Sequence, residues 1–571
     1  MASTYKTPGV YVEEISTFPA SVAQVETAIP AFIGYTEKAD DEGEDLTLKP
    51  TRIGSLLEYQ ELFGGSQKVE YQATVELDGD VKIDTVKPLS YLLFHHLEMF
   101  FNNGGGDCYI VSIGGYNAEG TISKGDFDEG LKELAKEDEP TIILLTDAIN
   151  LTSINEYYAL AQNSVAQCAN LQDRFAVLDI HGEPGDDTVL AFRNGMGTQD
   201  LKYGAGYYPN LKTILKKRID ESTLTVEGVG DANSAEFDYT IPGAIEVIFT
   251  IPTPIETVPD PTPEDPSRTV DKVYSPKIKI NVGTVAGDKK ADFTVERTNE
   301  LDQLTITVEK GTTGKEVVTD WAGFTEKGTF LINELGEGDS VVRKLDTTLV
   351  ASDVTLATLK TSRTSLYNKI KKELDKDTVV IPPSGAIAGI YAAVDGDRGV
   401  WKAPANVSLN GVIKPTLKID DKDQESLNVD VNGGKSINAI RSFVGKGTLV
   451  WGARTLAGND NEWRYVPVRR FFNMVEESVK KSTHWAVFEP NDANTWIKVK
   501  SMIENFLTGL WRDGALAGSS PDQAYFVNVG LGTTMTAQDI LEGRMIIEIG
   551  MAAVRPAEFI VLRFSHKLQE A

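Results

Sequence analysis

Cysteine and histidine are scarce in this chain, with two and five residues among 571. Two cysteines in so long a chain form no disulfide framework, and Cys108 and Cys168 both lie in strongly apolar stretches, which suits a reducing compartment. Positive charge is also in deficit. Against 84 acidic residues there are 56 basic ones, for a formal charge of -28. That balance repels phosphate backbones and anionic lipid and excludes nucleic acid as a partner. Long apolar runs are missing too: the best, Ala386 to Val394, is about half of what a membrane span needs, so no membrane insertion is expected. The first twenty residues lack the basic start and apolar stretch of a signal peptide, which makes synthesis in the cytoplasm the expectation.

What is present is material for large cores. Hydrophobic residues make up 41% of the chain and mean hydropathy is -0.20, so two to four folded domains are expected. Near the start, "GVYVEEI" alternates, with Val10 and Val12 on one face and Tyr11, Glu13 and Ile15 on the other, and it follows Pro8-Gly9. It reads as a short strand after a turn, with the small-residue stretch Ser16 to Gln24 as a tether behind it. Ala28 to Thr36 reads as a buried strand, and Glu37 to Asp45, rich in acids, as a solvated loop. A helix is expected from about Pro88 to Phe101, stopped by glycines and followed by a strand from Cys108 to Ile113.

The clearest unit is β-α-β. Thr141 to Asp147 and Arg174 to Ile180 are continuous apolar runs, as strands covered on both faces should be. Between them Ile154, Tyr158, Ala161, Val165 and Cys168 recur at helical spacing, so the strands pair in parallel. From about Glu221 to Ala351 the pattern changes to alternating stretches such as "KIKINV" and "LTITVEK", and a proline-rich segment runs from Pro242 to Pro266. This span reads as an all-β domain inserted into a mixed α/β core. The core is expected to resume near the helical Thr364 to Lys376 and to run through the strand candidates "AYFVNV", "RMIIEIG" and "EFIVLRF".

No catalytic or metal-binding constellation emerges. His95 and His96 are adjacent on a helix, about 100° apart around its axis, so they do not converge on one metal; one packed and one solvated is the expectation. Asp147 ends a parallel strand, where capping and ligand binding are the two readings, and the absence of a glycine-rich turn favours capping. "NGGGDC" stands between a helix and a strand, the reverse of a dinucleotide-binding order, and "GKG" at Gly445 to Gly447 lacks the rest of a phosphate loop. Neither GxSxG nor HExxH occurs. No cofactor is expected.

Five long stretches point elsewhere: "GVYVEEI...SVAQVETAIPAFIGYTE", "FFNNGGGDCYIV", "IAGIYAAVDGDRGVWKAPANVSLNGV", "LVWGARTLAGNDNEWRYVPVRRFFNMVEESVKK" and "GRMIIEIGMAAVRPAEFIVLRF". Together, and in this order, they resemble the contractile tail sheath family of phage tails and extracellular contractile injection systems, while residues 221–351 match nothing placed. The resemblance implies a mixed α/β discontinuous core, an inserted all-β domain on the outer surface and exchanged terminal strand arms. The divisions are then 1–25 (N-terminal arm), 26–220 (first part of the core), 221–351 (insert), 352–556 (second part of the core) and 557–571 (C-terminal strand arm). It further implies a subunit that polymerises around an inner tube and contracts from a metastable extended state, with itself, a tube protein, baseplate and terminal cap proteins and a second sheath paralogue as partners, in a particle released from the cell.

Under this reading Val10, Tyr11, Val12, Phe559, Ile560, Val561, Leu562 and Phe564 lie in an intersubunit sheet. The alternative is that both terminal strands pair within their own subunit. Arg398, Trp401, Pro404, Asn406, Trp451, Arg454 and Trp463 fall in the family's motifs and are expected as packing anchors, with Arg454 available to pair with an acid. Arg464, Arg469 and Arg470 form a local basic cluster in an acidic chain, either facing the tube or else solvated or paired within the subunit. Two other classes share some of these features. A strand-donating adhesin should carry an export signal, and an enzyme should carry a pocket with perturbed acids or histidines.

Overall fold

The continuous apolar runs become the middle of one large sheet. A computed structural model describes residues 22–75, 80–228, 236–241, 245–250, 257–259, 269–271, 277–297, 302–334, 340–342, 345–348, 350–351, 355–362 and 364–563. The predicted strand at Val10 to Val12, and Phe564, lie outside these residues. The chain divides into two compact units, one of residues 1–67, 90–215 and 379–571, the other of residues 68–89 and 216–378.

In the first unit nine strands form a single sheet: Pro30–Thr36 (β1), Thr51–Ile53 (β2), Cys108–Gly115 (β3), Ile142–Leu145 (β4), Phe175–Leu178 (β5), Gly204–Tyr208 (β6), Val407–Ser408 (β7), Ile437–Phe443 (β8) and Gly447–Val450 (β9). Their order is β7-β9-β8-β6-β5-β4-β1-β3-β2. The strands from β8 to β3 run parallel, and antiparallel partners close both edges. Parallel pairing requires crossover connections that cover both faces, which is why β1, β4 and β5 are buried at every residue. In the middle Phe32 stands opposite Ile110 on one side and Leu144 on the other.

Six helices of this unit position its buried charges and its chain ends: Leu93–Asn102 (α1), Lys124–Leu134 (α2), Ile154–Leu171 (α3), Ser384–Arg398 (α4), Val466–Ser482 (α5) and Ala493–Arg512 (α6). Helix α3 links β4 to β5 as the spacing predicts, burying Tyr158, Ala161, Val165 and Cys168. Ser153 caps it by accepting from the Glu156 amide. Helices α1 and α4 pack so closely that a Cβ on Gly385 would stand 2.6 Å from the His96 carbonyl oxygen, and one on Gly389 2.5 Å from that of Phe100. Only glycine fits there. The acidic stretch Glu37 to Asp45 is exposed around a two-residue hairpin, near the expected loop.

The C-terminal part of this unit has its own apolar cluster. Phe471, Met474 and Val475 of α5 meet Val499, Met502, Ile503 and Leu507 of α6, and Val22 packs among them. An antiparallel pair, Tyr525–Val529 (β10) and Ile547–Met551 (β11), completes it. "EFIVLRF" differs from expectation: residues 557–563 form no strand, because among the described residues no neighbouring strand lies alongside to pair with them.

The second unit corrects two boundaries. It starts at Lys216 rather than Glu221, continues to Thr378 rather than Ala351, and includes the hairpin of Lys68–Val75 and Val81–Lys87. It is not all-β. Gly314–Ala322 is a helix with a capping box between Thr313 and Glu316, and it buries Val317 and Trp321 against the sheets. The helix Thr364–Leu374, expected in the returning core, belongs here, because Ile370 and Leu374 pack with Val69, Tyr71 and Leu224. Periodicity identified the helix correctly, but which core it covers depends on contacts far along the chain.

Candidate functional site

Three buried ionisable groups lie behind the ends of the parallel strands. Asp147, just beyond β4, accepts from the amides of Leu92 and Leu93 at the start of α1 and from the Tyr35 amide at 2.7 Å. Asp179, just beyond β5, accepts from the Ser384 amide at 2.9 Å and the Ser384 hydroxyl at 2.6 Å, at the start of α4. Both carboxylates therefore hold helix N-termini, where the dipole favours negative charge. The capping reading of Asp147 stands, although the helix it holds is α1 rather than the next one along. Burial pushes both carboxyls up to about 7, against the pull of these hydrogen bonds.

The histidine expectation is half wrong, since both rings are buried. His95 pairs through Nδ1 with Glu98 at 2.7 Å, one helical turn away, while its buried Nε2 has no hydrogen-bond partner among the described residues. His96 accepts the Gly385 amide at 3.2 Å and lies 3.4 Å from the Ser384 hydroxyl. Burial pulls its pKa down to about 3, so it is neutral at pH 7. Asp179, Ser384 and His96 thus form a serine, histidine and aspartate group, but in the wrong order for nucleophilic catalysis. The hydroxyl proton goes to Asp179, and histidine does not bridge the two. All three side chains are sealed inside.

Of the two readings of the basic cluster, the structure fits internal pairing for Arg469 and Arg470. Arg469 and Arg470 are 2% and 4% exposed, so they present no charge to a partner. Arg469 donates to Asn473 at 2.7 Å and to Glu476 at 3.0 Å, with its guanidinium 4.3 Å above the Trp463 ring. Arg470 forms a two-point pair with Asp395 at 2.6 and 3.0 Å. These acids compensate the unfavourable dipole at the start of α5. Arg464 alone remains half-buried, donating to Asn461 at 2.7 Å.

Arg454 pairs with an acid, as the sequence allowed, and the acid is Glu558 in the last described stretch of chain. The Arg454 Nε donates to both carboxylate oxygens at 2.9 and 3.1 Å, its Nη1 to the Asn428 carbonyl at 3.1 Å, and the Tyr465 hydroxyl to Glu558 at 3.3 Å. Burial works against the Arg454 charge, yet Glu558 more than offsets it and raises the pKa above the ordinary arginine value. Immediately beyond, Phe559, Ile560, Val561 and Leu562 are 72–80% exposed. Beside them a groove of about 1280 Å³ opens between Ala403, Val429, Trp451 and Ile560.

The remaining motif residues divide into packers and surface positions. Trp401 meets Phe471 at 6.3 Å, edge to face, and Trp451 meets Phe443 at 4.6 Å. Pro404 is buried, whereas Asn406, left-handed with φ 58°, and Arg398 are exposed. Asn406 donates its amide to the Val450 carbonyl at 2.7 Å, which locks the turn into β7. Asp395, Glu558, Asp179 and Ser384 had no sequence signal, since each works through a partner at least 75 residues away.

Comparison with known proteins agrees with this picture. Residues 458–567 match the phage tail sheath C-terminal domain. The tail sheath protein of Vibrio phage KVP40 is 28% identical over 130 residues, 23% of this chain and 19% of that protein. The match thus spans about a fifth of that relative's length. Likeness along the whole chain comes from solved structures. A chain of the anti-feeding prophage baseplate is 26% identical with a TM-score of 0.54, covering 99% of this chain and 100% of that one. A chain of the PVC sheath complex, an extracellular contractile injection system in its contracted state, is 25% identical with a TM-score of 0.53, covering 99% of each. The sheet of mixed α/β layers, the C-terminal domain and the near-complete coverage identify the chain as a relative of the contractile tail sheath proteins.

Proposed function

We propose that this chain is the structural subunit of a contractile sheath, which polymerises helically around an inner tube and shortens from an extended, metastable state to drive that tube through a target envelope. One observation carries the proposal: four consecutive large apolar residues, Phe559 to Leu562, stand 72–80% exposed to solvent. Exposed contiguous apolar surface of this kind marks an interaction site. Side chains on both faces need cover on both faces, which a strand added to a neighbour's sheet receives. Among the described residues, the two-stranded sheet of β10 and β11 has no further strand on either edge, which leaves room for such an addition.

The N-terminal arm, with Val10, Tyr11 and Val12, is assigned the same role from its alternation. Contraction needs no hydrolysed cofactor, because stored conformational free energy suffices when subunits move as rigid bodies joined by flexible links. Likeness over the whole chain to subunits of injection particles favours a headless injector over a phage tail. Tube, baseplate and cap proteins, and a second sheath paralogue, are the partners this implies. Expressing the chain with its tube protein and viewing the product by electron microscopy tests the reading. Helical sheaths that shorten after acid or denaturant are expected. Monodisperse particles with no helical order in every condition would reject it.

A further inference from the structure

We propose that Arg454 is the fixed root of the C-terminal arm, holding Glu558 so that force on a strand donated to a neighbour is delivered to the central sheet instead of peeling the chain end from its own core. This rests on the sheath reading for its purpose, though not for its geometry. The described residues beyond Glu558 make no further hydrogen bond, so 559–563 leave the core from this point. Arg454 itself is locked from the other side. Its amide donates to the Asn438 side chain at 2.7 Å, and the Asn438 Nδ2 donates to the carbonyls of Arg454 and Gly206 at 2.8 and 3.1 Å. Asn438 lies in β8 and Gly206 in β6. The path from the arm therefore runs through a planar, two-point ion pair into two adjacent parallel strands.

Geometry explains the choice of residues. A buried arginine with five donors fixes a carboxylate in direction as well as distance, which a single lysine contact does not. A root that holds direction sets where the donated strand starts, and hence its register on the neighbour. The other end of the chain is held in a matching way. Arg470 donates to the Thr27 carbonyl at 2.7 Å, and the amides of Val25 and Ala23 donate to Ser478 and Ser482 at 3.1 Å. Part of the expected tether, Val22 to Gln24, is thereby docked along α5.

Limited proteolysis of the unassembled chain, with the C-terminal boundary read by mass spectrometry, tests the root directly. The wild-type chain should be trimmed to just beyond Glu558. Glu558→Ala should be trimmed back toward Val554, whose amide donates to the Ala515 carbonyl at 3.1 Å and is the next tie inward. With the tube protein, Glu558→Ala should place at least about tenfold less chain in sheaths. Because a lone buried arginine can disturb folding, the pair Arg454→Met with Glu558→Leu serves as a second variant that keeps an apolar contact without its directionality. It should retain the wild-type melting temperature and still assemble poorly. An unchanged cleavage boundary in Glu558→Ala, or normal sheaths from the double variant, would overturn the proposal. If the wild-type chain itself makes no sheaths, the sheath reading fails while the cleavage boundary still decides the root.

Discussion

Arg470 and Asp395 face each other through two hydrogen bonds of 2.6 and 3.0 Å, and both side chains are almost wholly buried. The Thr27 hydroxyl adds a third contact to Asp395 at 2.6 Å. Removing one member of such a pair strands a charge in the interior. Arg470→Ala should therefore destabilise the first unit by roughly 3–5 kcal/mol, whereas Arg470→Met with Asp395→Leu should recover most of that loss. Urea unfolding followed by tryptophan fluorescence measures both. Equal losses in the single and double variants would mean that shape, not charge, holds the site.

Asp147, Asp179 and His96 make stability depend on pH in opposite directions. Each carboxyl is raised to about 7 in the fold. From about pH 4 to 7 the folded chain keeps protons that the unfolded chain has released, so each carboxyl lowers stability as pH rises through that window. His96 is lowered to about 3. Below about pH 6.5 the unfolded chain binds a proton the fold refuses, so this group costs stability as pH falls toward 3. Asp179→Asn should gain roughly 2–4 kcal/mol relative to wild type between pH 4 and 7. Parallel stability curves for the two chains would show that Asp179 ionises normally.

Helix α4 offers a controlled packing test. Gly389→Ala drives a methyl into the Phe100 carbonyl and should cost roughly 1–3 kcal/mol or more. Gly396, on the same helix, has nothing within 4 Å of the added carbon. Gly396→Ala should gain up to about 1 kcal/mol from helix propensity. Thermal melts of the two variants should move in opposite directions.

The second unit should be removable. The chain leaves the first unit along Leu211–Lys216 and returns along Thr378–Ile381, neighbours in a three-stranded sheet, and the Thr213 hydroxyl donates to the Val379 carbonyl at 2.8 Å. A short Gly/Ser link can therefore replace residues 217–377, with a second in place of 68–89. The shortened chain should keep its secondary structure by circular dichroism and still form sheaths with its tube. A folded product that cannot assemble would assign this unit a role in the mesh.

Deleting residues 559–571 or 1–15 should spare the fold and abolish polymerisation, as scored by electron microscopy. Normal sheaths from either truncation would return the terminal strands to their own subunit.

Local pattern was enough for the parallel strands, for helix α3 with its buried face from Tyr158 to Cys168, and for the apolar character of the chain end. These follow from residues within one or two turns of each other, where spacing and burial are coupled. The sequence also carried the stretches that resemble the contractile tail sheath family. Only tertiary structure decided the fate of the arginines. "RYVPVRR" leaves open whether its arginines face a partner or pair internally; Asp395, 75 residues upstream, folds over Arg470, and Trp463 stacks on Arg469. The same holds for Glu558 on Arg454 and for the helix Thr364–Leu374, which joined a core built from Val69 and Leu224. A charge shows its residue type in the sequence, but whether it meets water or a partner depends on which distant segment the fold brings against it.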